Sequence, residues 1–229
     1  MKKTIKSLLF FCLLIQLTAF INPKSTKPFE GIINFSLSFE GLSPEIESMM
    51  AGSEMKVYIK KEKSKTDMNM AVSHTTVITD SKTKQAITLM DMMGQKIMMK
   101  FNTDSLQKEQ NQAPPVIRYI DETKEIAGYK CGKAEITINS VTDESGQPQP
   151  FTSFVYYTEE IPVNEYDLKM KGLKGYPMEY EMNQNGMKIK MTAKSVSKES
   201  IPNSAFDVPP GYKEMTKEEL MKSMMGGGK

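Results

Sequence analysis

The chain has 229 residues, 39% of them hydrophobic, and 30 basic against 28 acidic side chains give a formal net charge of +2. Interspersed charge of that balance carries no electrostatic footprint for nucleic acid. With His74 as the sole histidine, no zinc site of His and Cys ligands can be assembled.

The first segment reads as a leader. Lys2, Lys3 and Lys6 form a basic start, Leu8 to Leu17 an apolar stretch too short to span a bilayer, and Ala19 a small residue for cleavage. Residues 1–20 are therefore expected to be a secretory signal peptide, 21–28 a flexible lead-in, 29–225 one antiparallel β domain and 226–229 a disordered tail. Cys12 follows Phe10 and Phe11 rather than small residues, which argues against a lipid anchor. No later stretch is long and apolar enough for a membrane helix. Once the leader is removed only Cys131 remains, and it is expected to be buried in the sheet.

Gly31 to Gly41 alternates Ile33, Phe35, Leu37 and Phe39 with Asn34, Ser36, Ser38 and Glu40, the period of a strand with one apolar face. A short helix follows, with Ser43 as N-cap, Pro44 at its first position, Glu45 and Glu47 in its first turn, and Ile46, Met49 and Met50 as its apolar stripe. Strands are predicted at Met55–Lys60, Lys65–Met70, His74–Asp80, Gln85–Met92 and Lys96–Asn102. In Gln85–Met92 apolar residues occupy both parities, so either face could be the buried one. Asn102 to Pro115 is polar and ends in Pro-Pro, which predicts a long mobile loop. Strands resume at Val116–Glu122, Lys130–Ser140 and Phe151–Glu159. Ile161 to Gly172 reads as a turn or short helix.

The clearest signal is Gly175 to Val196. Tyr176, Met178, Tyr180 and Met182 alternate with polar residues, Asn185-Gly186 forms a tight turn, and Met187, Ile189, Met191 and Ala193 alternate again: a β-hairpin. After Lys198 the chain runs irregularly to Tyr212. Thr216 with Glu219 makes a capping box for a final helix bearing Leu220, Met221, Met224 and Met225.

About ten strands in hairpin order predict a mainly β protein, a single curved antiparallel meander or half-barrel with one or two short covering helices. Strands of about eight residues make a face of roughly 1,200 Å², of which two ten-residue helices cover roughly 300 Å². Soluble monomers seldom leave more than about 300–600 Å² of contiguous apolar surface open. The sheet must curl, or a partner must fill it. A curled sheet with helices at its mouth suits an apolar ligand, and methionine suits a surface that adapts to variable apolar partners. The expected lining is Phe35, Leu37, Phe39, Met178, Tyr180, Met182, Met187, Ile189 and Met191, with Met49, Met50, Leu220 and Met224 as lid.

Catalytic motifs are absent: there is no G-x-S-x-G elbow, no Gly-rich phosphate loop and no context for a triad around His74. Met68, Met70, Met90, Met92, Met93, Met98 and Met99 could offer thioethers to Cu(I), although Met68 and Met70 would stand about 7 Å apart along one strand.

At TKEIAGYKCGKAEI (Thr123 to Ile136) and SAFDVPPGYKEM (Ser204 to Met215), and in its opening FEGIINFSLSFEG, the chain resembles a family of exported bacterial proteins known as a domain of unknown function, family 4412. That resemblance implies export and supplies no activity or catalytic residue. More distantly, the plan looks like the LolA-like periplasmic lipoprotein carriers, which implies a half-open barrel holding acyl chains. The expectation is a non-catalytic exported protein, periplasmic or extracellular, with no cofactor, binding an acyl chain or a lipidated partner on the concave face of the sheet. A structural or interaction protein of the envelope with a self-filled core is the alternative, and a Met-rich Cu(I) binder a further one.

Overall fold

The computed structural model describes residues 28–71, 73–92, 94–105, 114–142, 148–162, 170–184 and 187–226. The expected leader and the tail beyond Gly226 lie outside them, as do most of the predicted loop after Asn102 and most of the stretch from Ile161 to Gly172.

The centre of the molecule is β1 (Glu30–Glu40). The short helix α1 (Pro44–Met50) follows, and then β2 (Glu54–Lys60), β3 (Lys63–Met70), β4 (Ser73–Asp80), β5 (Gln85–Met92) and β6 (Gln95–Asn102) fan out from one edge of β1 as successive hairpins. The second half is β7 (Val116–Ile126), β8 (Tyr129–Thr142), β9 (Pro148–Thr158), β10 (Tyr176–Gln184) and β11 (Met187–Ser197). Its last strand returns to the other edge of β1, with Phe35 opposite Ala193 and Leu37 opposite Met191. A two-residue strand β12 (Lys213–Glu214) and the helix α2 (Lys217–Gly226) end the described chain. The result is one twelve-stranded curved sheet, not closed into a barrel, in the order β12-β6-β5-β4-β3-β2-β1-β11-β10-β9-β8-β7. It is antiparallel throughout except that β12 runs parallel to β6.

The two arms about β1 are built differently. Register slips occur at Asn34/Phe35, Pro177/Glu179, Ile120/Thr123 and Ile138/Val141, all in seams of the β7–β11 arm. The β2–β6 seams run without a slip. Bulges bend a strand and add twist, so the second arm is the one forced to curl. Close backbone approach helps it: a Cβ on Gly175 would stand 2.0 Å from the Thr158 carbonyl oxygen. The hairpin of β7 and β8 turns on Ala127 and Gly128, at φ 50° and 80°, the left-handed pair that a two-residue turn between twisted strands requires.

The main core lies along β1. Ile33, Phe35 and Phe39 pack with Met55, Val57 and Ile59 of β2, Met178 of β10, and Ile189, Met191 and Ala193 of β11. The predicted hairpin forms, Gln184 pairing with Met187, while its turn residues Asn185 and Gly186 lie outside the described residues. Cys131 is fully buried in the same core.

Two features differ from the sequence reading. A twelfth strand, β12, joins the eleven segments predicted as strands, because its two residues carry no period, and β7 runs on to Ile126, four residues past its apolar pattern. Covering also falls mainly to an irregular segment rather than to helices. Residues 198–212, with a turn of 3₁₀ helix at Asn203–Phe206, lie over the outer face of the first arm. Ile201 and Phe206 seal Ile78 and Leu89, with Tyr58, Ile87 and Met98 around them. This explains why β5 is apolar on both parities: Leu89 faces the strap while Ala86 is buried on the other side. The strap is pinned at its start, where Glu30 accepts a hydrogen bond from the Ile201 N–H at 2.7 Å and Lys60 donates to the Ile201 carbonyl. At its end the Met215 N–H donates to the Met98 carbonyl at 2.9 Å. The final helix has its capping box: Glu219 N–H donates to Thr216 Oγ1 at 3.1 Å and Thr216 N–H to Glu219 Oε2 at 2.8 Å. Ser43 sits at the N-cap of α1 without a capping bond from its hydroxyl.

Candidate binding trough

The curl of the sheet leaves a trough of about 900 Å³ between the arms. One wall is β2, β3 and β4, presenting Met55, Val57, Ile59, Ser64, Thr66, Met68, Val77 and Thr79; the other is β10 and β11, presenting Tyr176, Pro177, Tyr180, Met182 and Met191. Pro28, Pro162 and Met170 complete it, and the turns after β2 and β4 add Lys61, Glu62, Lys63 and Ser81. Alternation produces these walls, since every second residue of a strand shares a face.

Register orders the trough along its length. Ile59, Ser64 and Thr79 lie side by side at one level, Val57, Thr66 and Val77 at the next, and Met55 and Met68 at the third. The lysine-bearing turn is therefore at one end and the methionines toward the other. On the facing wall Tyr180 pairs with Met191 and Met191 with Leu37, two residues beyond the level where Phe35 meets Met55. Tyr180, Met182 and Met191 thus belong to the methionine end. Tyr176, four residues before Tyr180, lies about 13 Å back toward the lysines.

Of the residues expected to line such a site, Tyr180, Met182 and Met191 do. Phe35, Phe39, Met178 and Ile189 are buried in the main core together with Met55, Val57, Ile59 and Met191, and Leu37 packs half-buried against it. Met187 lies in β11 with its side chain outside the described set. Of the four lid residues, Met50 is buried, Met49 is 52% exposed, Leu220 is half-buried, and the Met224 side chain is likewise outside the described set. The opposite wall, Met55 to Ile59 with Met68 and Val77, holds none of the residues expected to line the site. Its alternation was visible in the sequence, but nothing there says which strands face one another across the bend.

The methionines considered for copper are divided by the pleat. Met68, Met70, Met90, Met92 and Met99 share one face by register, whereas Met98 lies on the other, under the strap. Met93 lies outside the described residues. Among the described residues no group of three or more His, Cys, Asp and Glu side chains could hold a metal ion. His74 is exposed on β4, 3.8 Å from Asp67.

The second arm carries a polar cluster. Glu179 on β10 is 8% exposed. It accepts from Lys124 of the edge strand β7 at 3.0 and 3.1 Å and from Thr192 at 3.2 Å, and Lys190 lies 3.3 Å away. Burial pushes its carboxyl up, and the Lys124 hydrogen bonds with the charges of Lys190 and Lys124 more than reverse this, holding it below the usual carboxylate range. Beside it Glu122 accepts from Lys133 at 2.8 Å and from the Tyr156 hydroxyl, and those bonds lower its pKa. These groups tie β7 across the back of β9 and β10. Nearby, burial pushes the Cys131 thiol up to about 11, which leaves it a poor nucleophile.

These features define an open, curled antiparallel sheet with an apolar trough on its inner side. The chain belongs to the family described as Domain of unknown function (DUF4412), which it matches over residues 29–212. No curated protein matches it. Among solved structures it is similar to LprF from Mycobacterium bovis, at 10% sequence identity and a TM-score of 0.33, covering 76% of this chain and 89% of that one. It is also similar to a beta-barrel-like protein of domain of unknown function DUF1849 from Brucella abortus, at 8% identity and a TM-score of 0.31, covering 76% and 99%. Among the described residues no helix is long and apolar enough to cross a membrane.

Proposed function

We propose that this protein is an exported carrier or sensor that holds an apolar ligand, the acyl chain of a lipid or of a lipidated partner, in the trough between its arms, and that it catalyses no reaction. The observation that supports this reading is the trough itself. Its volume of about 900 Å³ falls at the upper end of the roughly 300–1,000 Å³ typical of small-molecule sites. Met68 and Met182, half-buried on its two walls, give it flexible thioethers that can mould to a chain without one fixed shape.

The test has two parts. Purified protein is extracted with organic solvent and the recovered lipid weighed, and the stripped protein is titrated with fluorescent acyl probes of increasing chain length. Each buried methylene contributes about 0.8 kcal/mol, so lengthening the probe by two carbons should tighten binding about fifteenfold until the trough is full. Met68→Glu and Met182→Glu, both at half-buried positions, should abolish uptake without unfolding the protein. Lipid-free protein that takes up no probe would leave the envelope interaction role as the better reading.

A further inference from the structure

The register of β2 against β3 completes a ligand set that the sequence leaves half-built. Met68 and Met70 follow one another on one face of β3, and Met55 of β2 stands directly opposite Met68 on that same face. We propose that Met55, Met68 and Met70 form a three-thioether site for a soft monovalent cation, Cu(I) or its analogue Ag(I), at the methionine end of the trough. This is a second class of ligand, and it does not rest on the acyl-chain reading.

The spacing suits one ion. Across an antiparallel pair, directly opposite side chains have Cβ atoms about 5 Å apart and diagonal ones about 7–8 Å, while alternate residues of one strand are about 7 Å apart. The three Cβ atoms therefore mark a triangle whose centre is about 4 Å from each corner. A methionine sulfur lies two bonds beyond its Cβ, and a bond from sulfur to metal adds about 2.3 Å, so each thioether reaches that centre. All three side chains belong to one apolar cluster, with Met55 buried in it and Met68 and Met70 half-buried against it, open to an entering ion. The surroundings select the metal. The register neighbours on this face are Phe35 beside Met55, Thr75 beside Met68 and Ser73 beside Met70. These are uncharged and offer no carboxylate to a hard divalent cation, which takes oxygen ligands. Neutral, polarizable thioethers favour Cu(I), and a single charge costs less to desolvate than a double one. Met90 and Met92 share this face but stand two strands away, about 10 Å off, too far to join the group.

The experiment titrates the purified protein with Cu(I), held reduced, in competition with the chromophoric chelator bicinchoninate. One equivalent should be withdrawn from the chelator, and Zn(II) should not compete for it. Met55→Leu, Met68→Leu and Met70→Leu keep volume and apolarity, so the variants fold. Each should weaken Cu(I) binding at least about tenfold, since losing even an outer partner of a metal ligand costs about 10–100-fold. Met90→Leu/Met92→Leu should bind as the parent does. With methionine methyl groups labelled with carbon-13, one equivalent of Ag(I) should move three methyl resonances, the same three that the single variants remove. Failure to withdraw Cu(I) from the chelator would overturn the proposal, as would Zn(II) bound equally well. A loss in Met90→Leu/Met92→Leu as large as in the three single variants would show a diffuse methionine surface and refute the assignment to this trio. Uptake of the acyl probes is measured separately, so either ligand can fail without the other.

Discussion

Replacing Phe206 with alanine tests whether the irregular strap is part of the fold or an ornament on it. The ring is 7% exposed and packs with Ile78, Leu89 and Ile201 on the outer face of the first arm. A phenylalanine buries about 150–200 Å², and at about 25 cal/mol per Å² its loss removes about 4–5 kcal/mol, in line with the 3–5 kcal/mol typical of a buried Phe→Ala change. Against a total stability of about 5–15 kcal/mol that is a large fraction. The strap's other anchors are Ile201, Val208 and Tyr212 on the same face, the bonds to Glu30 and Lys60 at its start, and two residues of parallel pairing at its end. Urea unfolding should show the midpoint falling at unchanged slope. Hydrogen exchange should show the Met215 amide, bonded to Met98 in the parent, losing its protection. A loss below about 1 kcal/mol with that amide still protected would refute the claim that the strap seals this face.

Two further outcomes follow from the second arm. Because the folded Glu179 carboxyl titrates below its ordinary value, its contribution is complete above about pH 4.5 and lost as pH falls through the folded value. Glu179→Gln should therefore cost about 1–2 kcal/mol at pH 7, the low end for charged hydrogen bonds because Lys124 and Lys190 are partly solvated. The difference from the parent should shrink as pH falls below 4.5 and through the folded value, and a deficit that is the same at every pH would show that charge is not the cause. Gly175→Ala should destabilise by at least about 2 kcal/mol, since the added methyl meets backbone of Thr158 and Glu159 rather than a movable side chain. Thermal melting of the variant checks it, and an unchanged midpoint would mean that the seam between β9 and β10 is looser than described.

Much of this molecule could be read from its residues in order. The hairpin from Tyr176 to Ser197, the strand from Glu30 to Glu40, the capping box at Thr216 and Glu219 and the burial of Cys131 all follow from local patterns, because a period of two and a side chain three residues away act within a few ångströms of chain. Even the ambiguity of Gln85–Met92 was legible, and the strap explains it. The candidate site was legible only in part: of nine residues expected to line it, Tyr180, Met182 and the fully buried Met191 border the trough, while Phe35, Phe39, Met178 and Ile189 lie in the core.

Alternation determined which residues share a face, and composition determined that the face was too oily for its few helical residues. Neither could say which strands would meet across a bend. That depended on β11 closing on β1, on four bulges confined to one arm and on a strap without period crossing the other. Those are long-range contacts between segments up to about 170 residues apart, and their geometry is set by backbone twist and closure, which no local window of the chain contains.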